Sequence, residues 1–347
     1  MLNKIAEPLL QWYEKNHRIL PWRDSGNPYY IWISEIMLQQ TRVEAVKPYF
    51  ERFIRALPSV KDVAECPEEQ LLKLWEGLGY YNRVRNIQKA AVKIMEEYHG
   101  KLPADYEVLR SLPGIGNYTA GAVASIAYGI PVPAVDGNVL RVIARITEND
   151  EDILKQSVRT RVERELQEVI PADQPGAFNQ ALMELGAMIC VPNGEARCEE
   201  CPVAHLCMAR AHNTVMDLPV RKKPKERRIE NRTILVIQDG DKVAVRKRPS
   251  RGLLAGMYEF PNLEGHLEEE KVLEWIKHYQ VEPLHIRRLE NSRHIFSHVE
   301  WRMIGYAVRV AALEEKNKKD LIFAEKEFVE QNYPIPAVFH AYRLDEK

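Results

Sequence analysis

Near residue 217 the apolar residues of this chain change their period, which excludes a fold built from one class of element. Across residues 6–216 they recur mainly at three and four positions, as in 63–78, 87–98 and 158–169, the stripe of amphipathic helices. Pro48, Pro58, Pro67, Gly77, Gly79, Gly100 and Pro103 cut that half into short helices joined by tight turns. Beyond it, residues 233–237, 242–246 and 302–310 are short β-rich runs bounded by turn signals such as Asp239-Gly240-Asp241. One amphipathic helix is expected over 268–279. The expectation is an all-α domain followed by an α+β domain, and 347 residues allow a sizeable core in each.

A formal net charge of -1 conceals a local imbalance. Arg221, Lys222, Lys223, Lys225, Arg227, Arg228 and Arg232 crowd one segment that also holds Pro219 and Pro224, opposed by Glu226 and Glu230. That composition predicts a basic linker over 217–231, and a local basic surface is all that nucleic acid requires. The first seventeen residues intersperse Lys4, Glu7, Glu14 and Lys15 and do not read as a signal peptide. Residues 112–135 lack acidic and basic side chains, yet Pro113, Gly114, Gly116, Pro131 and Pro133 break them into a turn plus a buried helix rather than a membrane span.

Four of the five cysteines, Cys190, Cys198, Cys201 and Cys207, form C-x7-C-x2-C-x5-C, unlike a secreted disulfide framework. A reducing cytoplasm is the expected setting. Four soft thiolates in one loop-rich segment predict either an iron–sulfur cluster or a structural zinc site. Cys66 stands apart as an ordinary half-buried thiol.

Three further features suggest chemistry. In Leu112-Pro-Gly-Ile-Gly-Asn117, Gly114 and Gly116 allow a sharp turn whose NH groups, with the start of the next helix, can seat a phosphate; a plain helix–helix turn is the alternative. Glu35, flanked by Trp32, Ile33, Ile36, Met37 and Leu38, should lose water and hold a proton near neutral pH, unless it is a half-exposed helix residue paired with Arg42 or a lysine. Asp136 precedes an apolar helix-like run, where a cap is the default role; capping NH groups would also keep it ionised, with Asn138 capping or bracing. A neutral and an ionised carboxyl together are how glycosidic bonds are broken. The hairpin points to a nucleotide's.

Taken together these residues resemble the adenine DNA glycosylase (MutY) family of the helix-hairpin-helix DNA glycosylase superfamily. The resemblance spans nearly the whole chain: Pro21-Trp22-Arg23, Glu35-Ile-Met-Leu-Gln-Gln-Thr41, Glu76-Gly-Leu-Gly-Tyr-Tyr81, residues 112–118 and 135–138, the cysteines, residues 252–261 and Phe296-Ser297-His298. It implies a helical glycosylase domain over 1–216, with a six-helix module at about 27–135 and an iron–sulfur cluster module from 1–26 plus 136–216. A Nudix-like lesion-recognition domain follows at 232–347. It further implies one [4Fe-4S] cluster on the four cysteines, although seven residues separate the first pair where the family has six. The implied substrate is adenine opposite 8-oxoguanine or guanine in duplex DNA, rotated into a pocket and removed to leave an abasic site by a monomer.

The resemblance also distributes roles. Glu35 matches the acid that protonates adenine, and Asp136, braced by Asn138, matches the group that stabilises the sugar cation. Tyr118 stands where bifunctional relatives carry a Schiff-base lysine, so strand cleavage is not expected. Gln40, Thr41, Leu78, Gly79 and Tyr80 match segments that fill the gap left by the flipped base, and Gly114 and Gly116 the phosphate-seating hairpin. Trp22, Arg23 and Gln180 match the pocket lining; Phe296, Ser297 and His298 match the 8-oxoguanine contact. Glu268-Glu269-Glu270 lacks the Gly-x5-Glu-x7-Arg-Glu-x2-Glu-Glu order of a Nudix hydrolase, which disfavours nucleotide hydrolysis. Two other rivals are an endonuclease III-type lyase, disfavoured by Tyr118 and the extra domain, and a damage binder without activity, disfavoured by the carboxylate pair.

Overall fold

The structure, a computed structural model, describes residues 1–23, 25–222, 226–314 and 320–343. Asp24, 315–319, 344–347 and part of the expected linker (Lys223, Pro224 and Lys225) lie outside the described residues. Two compact units emerge, Met1–Glu65 with Arg85–Lys223, and Cys66–Val84 with Pro224–Lys347.

In chain order the first half forms α1 (Ala6–Asn16), α2 (Pro28–Leu38), α3 (Val43–Ala56), α4 (Val60–Glu65), α5 (Glu68–Leu74), α6 (Asn82–Tyr98), α7 (Tyr106–Arg110), α8 (Asn117–Tyr128), α9 (Gly137–Ile146), α10 (Gln156–Gln167), α11 (Pro175–Met188) and α12 (Met208–Ala211). Local chemistry sets several of these starts. Asn27 accepts from Tyr29 N at 3.0 Å ahead of Pro28, and Asp105 from Val108 N at 2.9 Å, each satisfying a helix NH that has no partner within its helix. Helix α2 is buried at Tyr29, at Ile31 and at every position from Trp32 to Met37, so it runs through the interior. It packs on α8, which packs on α11. A second core joins Leu9 of α1, Val139 and Ile143 of α9, Val162 and Leu166 of α10, and Phe178 and Leu182 of α11.

The second unit is built on a sheet ordered β3 (Tyr258–Glu259), β2 (Lys242–Lys247), β1 (Arg228–Asp239), β6 (Val299–Val310), β5 (Pro283–Ile295), with β4 (Asn262–Glu264) on β1 and β7 (Ile322–Glu325) on β2. Only the β1–β6 pair among these is parallel, in register from Arg228↔Val299 to Gln238↔Arg309. Both faces are covered. Ile234 and Val236 face a core with Trp301, Met303 and Phe339, whereas Leu235 and Ile237 face the opposite core with Val272 and Ile276 of α13 (Glu269–His278). This double burial explains why 233–237 reads as a continuous apolar run rather than an alternating one. The short helix α14 (Lys326–Asn332) closes the first face through Val329.

Among the described residues no helix is long and apolar enough to cross a membrane.

Candidate active site

In the first unit, α2, α8, α9 and α11 enclose a cavity of about 770 Å³. Glu35 and Asp136 both line it, together with Tyr118, Asn138, Trp22, Arg23, Gln180, Gln40, Thr41 and Gly116. Glu35 is only 6 % exposed because this part of α2 runs through the interior. Burial raises its carboxyl to about 7; the anion of Asp136 adds to the rise, while the Tyr118 hydroxyl and Arg23 oppose it. Tyr118 donates to Glu35 Oε2 and its hydroxyl lies 3.8 Å from Met183 Sδ. Burial likewise drives the Tyr118 phenol well above its ordinary value, so it stays a donor.

Asp136 caps α9, accepting from Val139 N at 2.8 Å, and Asn138 Nδ2 donates to its other oxygen at 2.8 Å. Asn138 therefore braces the carboxylate rather than capping the helix itself. Burial raises the Asp136 carboxyl above its ordinary value, and the hydrogen bonds from Val139 N and Asn138, which favour the ionised form, limit that rise. The extended segment leading to it is pinned by the fully buried Asn179, whose oxygen accepts from Ala134 N at 3.0 Å and whose amide donates to Ser125 Oγ and Val132 O.

Residues that sequence reading passed over support these groups. Arg141, buried on α9, donates to Asn138 Oδ1 at 2.9 Å, Gly186 O at 2.7 Å and Cys190 O at 2.8 Å, fixing the brace of Asp136. Glu184, 1 % exposed, takes both Arg18 and Arg23 at 2.7 Å. A charged residue inside an apolar helical run was the available signal in both cases. At Gly186 a Cβ would fall 2.6 Å from Asn138 Cβ. Gly186→Ala should therefore displace Asn138 and destabilise the chain by about 1–3 kcal/mol, read as a lowered urea midpoint together with slower catalysis.

The remaining expected contact residues fall at the turn before α8 and in the second unit. Gly114 takes φ 75° in the turn between α7 and α8, where a Cβ would meet Asn86 Cβ at 2.6 Å, so glycine is required there. Gly116 starts α8 without a side-chain cap, leaving its NH groups open. Leu78, Gly79, Tyr80, Phe296, Ser297 and His298 do not line the cavity; they belong to the second unit, where Ser297 Oγ lies 3.4 Å from the Tyr80 hydroxyl. Phe296 meets Trp301 edge-on at 5.3 Å, and Ser297 and His298 are exposed.

The metal expectation is corrected. Cys190, Cys198, Cys201 and Cys207 line one small apolar hollow as free thiols. Among the described residues no group of three or more His, Cys, Asp or Glu is disposed to hold a metal ion, so the residues present do not fit a [4Fe-4S] cluster, an iron–sulfur module or a zinc site. Burial instead favours neutral thiols, pushing Cys201 up to about 12 and raising Cys198 and Cys207. Arg145 donates to Cys190 Sγ at 3.2 Å, and Cys207 Sγ donates to Arg145 O at 3.4 Å. Close spacing along the chain brought the cysteines to one hollow without arranging them as a ligand set.

Residues 33–172 match the HhH-GPD superfamily base excision DNA repair protein family, and residues 232–343 match the NUDIX domain. Among solved structures, a thermostable thymine-DNA glycosylase is similar with a TM-score of 0.56 and 27% identity, covering 61% of this chain and 97% of that one. A non-covalent endonuclease III–DNA complex is similar with a TM-score of 0.51 and 27% identity, covering 60% and 94%. The fold and the family match together place this chain in the HhH-GPD superfamily of base excision DNA repair proteins. Adenine DNA glycosylases from Homo sapiens (34% identical; 88% of this chain, 66% of that protein), Rattus norvegicus (33%; 88%, 70%) and Buchnera aphidicola subsp. Schizaphis graminum (32%; 88%, 88%) extend the match over both units. The chain belongs to the adenine DNA glycosylase family, and it spans 66% of the length of the human relative.

Proposed function

We propose that this chain hydrolyses the N-glycosidic bond of adenine opposite 8-oxoguanine or guanine in duplex DNA, acting as a monomer in the cytoplasm, at the nucleoid in a bacterial cell. The observation that carries this reading is the single cavity lined by a Glu35 carboxyl raised to about 7 and by the capped Asp136. At neutral pH a good fraction of Glu35 holds a proton, which it delivers to the adenine ring. The bond between sugar and base breaks with its electron pair going to the base, so adenine departs neutral. Asp136 faces the cation left on the sugar, and water then completes hydrolysis. The open NH groups of α8 and the turn at Gly114 seat a DNA phosphate beside the cavity. Trp22, Arg23 and Gln180 line the base pocket, Gln40 and Thr41 enter the space the base vacates, and Leu78, Gly79 and Tyr80 of the second unit contact the DNA. Phe296, Ser297 and His298 read the opposite base.

With Tyr118 rather than an amine beside Glu35, no Schiff base forms and the product is an abasic site. The test is incubation with duplexes holding adenine opposite 8-oxoguanine, guanine or thymine, assaying free adenine and strand breaks separately. Strand breaks appearing without alkali would overturn the reading. Because the Tyr118 hydroxyl lowers the Glu35 carboxyl, Tyr118→Phe should move the alkaline limb of the single-turnover rate to higher pH. An unmoved limb would show that the phenol does not act on Glu35.

A further inference from the structure

The segment joining α5 to α6 adopts a conformation that needs an external hold. Gly77, Gly79 and Tyr80 take φ of 99°, 69° and 49°, and for tyrosine the left-handed region is unfavourable. Tyr80 is nonetheless 47 % exposed, so burial of its ring does not hold it there. The hold comes from Arg83. Its Nη2 donates to Leu78 O at 3.0 Å and to Gly79 O at 3.2 Å, and its guanidinium lies 5.4 Å from the Trp75 ring centroid and 5.5 Å from that of Tyr80. Trp75 Nε1 donates to the same Gly79 O at 3.1 Å, completing a clasp across the turn. Burial lowers the guanidinium only to about 10, so it stays charged at neutral pH. The planar fork reaches two successive carbonyls while its face meets an aromatic ring, and a lysine could not reproduce both.

We propose that Arg83 is a positioning residue for selectivity: by clasping the turn it presents Tyr80 to DNA at the place where Tyr80 meets Ser297. This deepens the proposed function and rests on its assignment of Ser297 to the base opposite adenine. Removing the clasp frees Tyr80 to leave its left-handed conformation and separate from Ser297 Oγ. Discrimination between 8-oxoguanine and guanine then falls more than excision itself.

The test measures single-turnover adenine release by the whole chain on duplexes with 8-oxoguanine or guanine opposite adenine, for Arg83→Lys, Tyr80→Ala and the double variant, with thermal melting of each. Arg83→Lys should lower the ratio of the two rates about tenfold, the scale of one hydrogen bond and one cation–π contact. In the Tyr80→Ala background it should lower the ratio no further. A ratio unchanged by Arg83→Lys, or an equal fall in both rates that tracks melting temperature, assigns Arg83 to structure alone and overturns the proposal. A further fall in the double variant shows that Arg83 does not act through Tyr80, which also overturns it. Failure of the proposed function would look different: the unaltered chain would release no adenine from either duplex.

Discussion

Glu35→Gln should abolish adenine release and at the same time make the folded chain more stable above neutral pH. Loss of the acid removes the only protonation route assigned to the leaving base, and general acid catalysis of this kind contributes about 10²–10⁴-fold. The stability effect follows from the same burial. In the folded chain the Glu35 carboxyl stands at about 7, against 4.5 ordinarily. Between those values the folded state keeps a proton that the unfolded state has released, so stability falls as pH rises through that window. The fall amounts to about 1.4 kcal/mol per unit, on the order of 3 kcal/mol by pH 8. Glutamine is neutral throughout and its carbonyl can still accept from Tyr118, so the variant escapes most of that loss. Urea midpoints of the two proteins should nearly coincide at pH 4 and diverge in favour of the variant towards pH 8. A constant difference across that range would show that Glu35 is not held protonated by burial, and the acid assignment would go with it.

How far the fold and site could be read in advance depended on whether each feature had a local cause. The apolar period of 158–169 and the apolar run 139–146 became α10 and α9, because one face of each packs into a core. Asp136 was legible as a cap for the same reason: its bond to Val139 N spans three residues. Strand β5 was not legible. It lies at the sheet edge, its residues alternate little, and Leu284, Arg287 and Arg293 face water, so pairing with β6 rather than an apolar pattern defines it. Arg141 was illegible as a brace because its three partners, Asn138, Gly186 and Cys190, meet only when α9 packs on α11. The cysteines mark the opposite error. Spacing implied convergence on a metal, yet what a hollow can bind depends on how side chains are turned into it, and spacing does not encode that.

Asp136→Asn should lower adenine release by at least about 10²–10³-fold, the usual loss when one preorganised electrostatic partner of a developing charge is removed, while duplex binding changes little. The substitution keeps size and shape, and one oxygen can still accept from Val139 N. Asn138 Nδ2, however, then faces an amide NH₂ where it had a carboxylate oxygen, so the brace opposes the new side chain as well as losing the charge. The pH dependence of the residual rate separates this role from that of Glu35. In the unaltered chain, protonation of Asp136, whose carboxyl burial raises, should shape the acid limb, and ionisation of Glu35 should shape the alkaline one. Asp136→Asn should erase the acid limb. It should also shift the alkaline limb to lower pH, because the Asp136 anion is one of the groups that raises Glu35 and its removal lets Glu35 ionise earlier. If the acid limb survived and the alkaline limb stayed in place, the two carboxyls would not share one field, and the cavity would lose the coupled acid and anion on which excision depends.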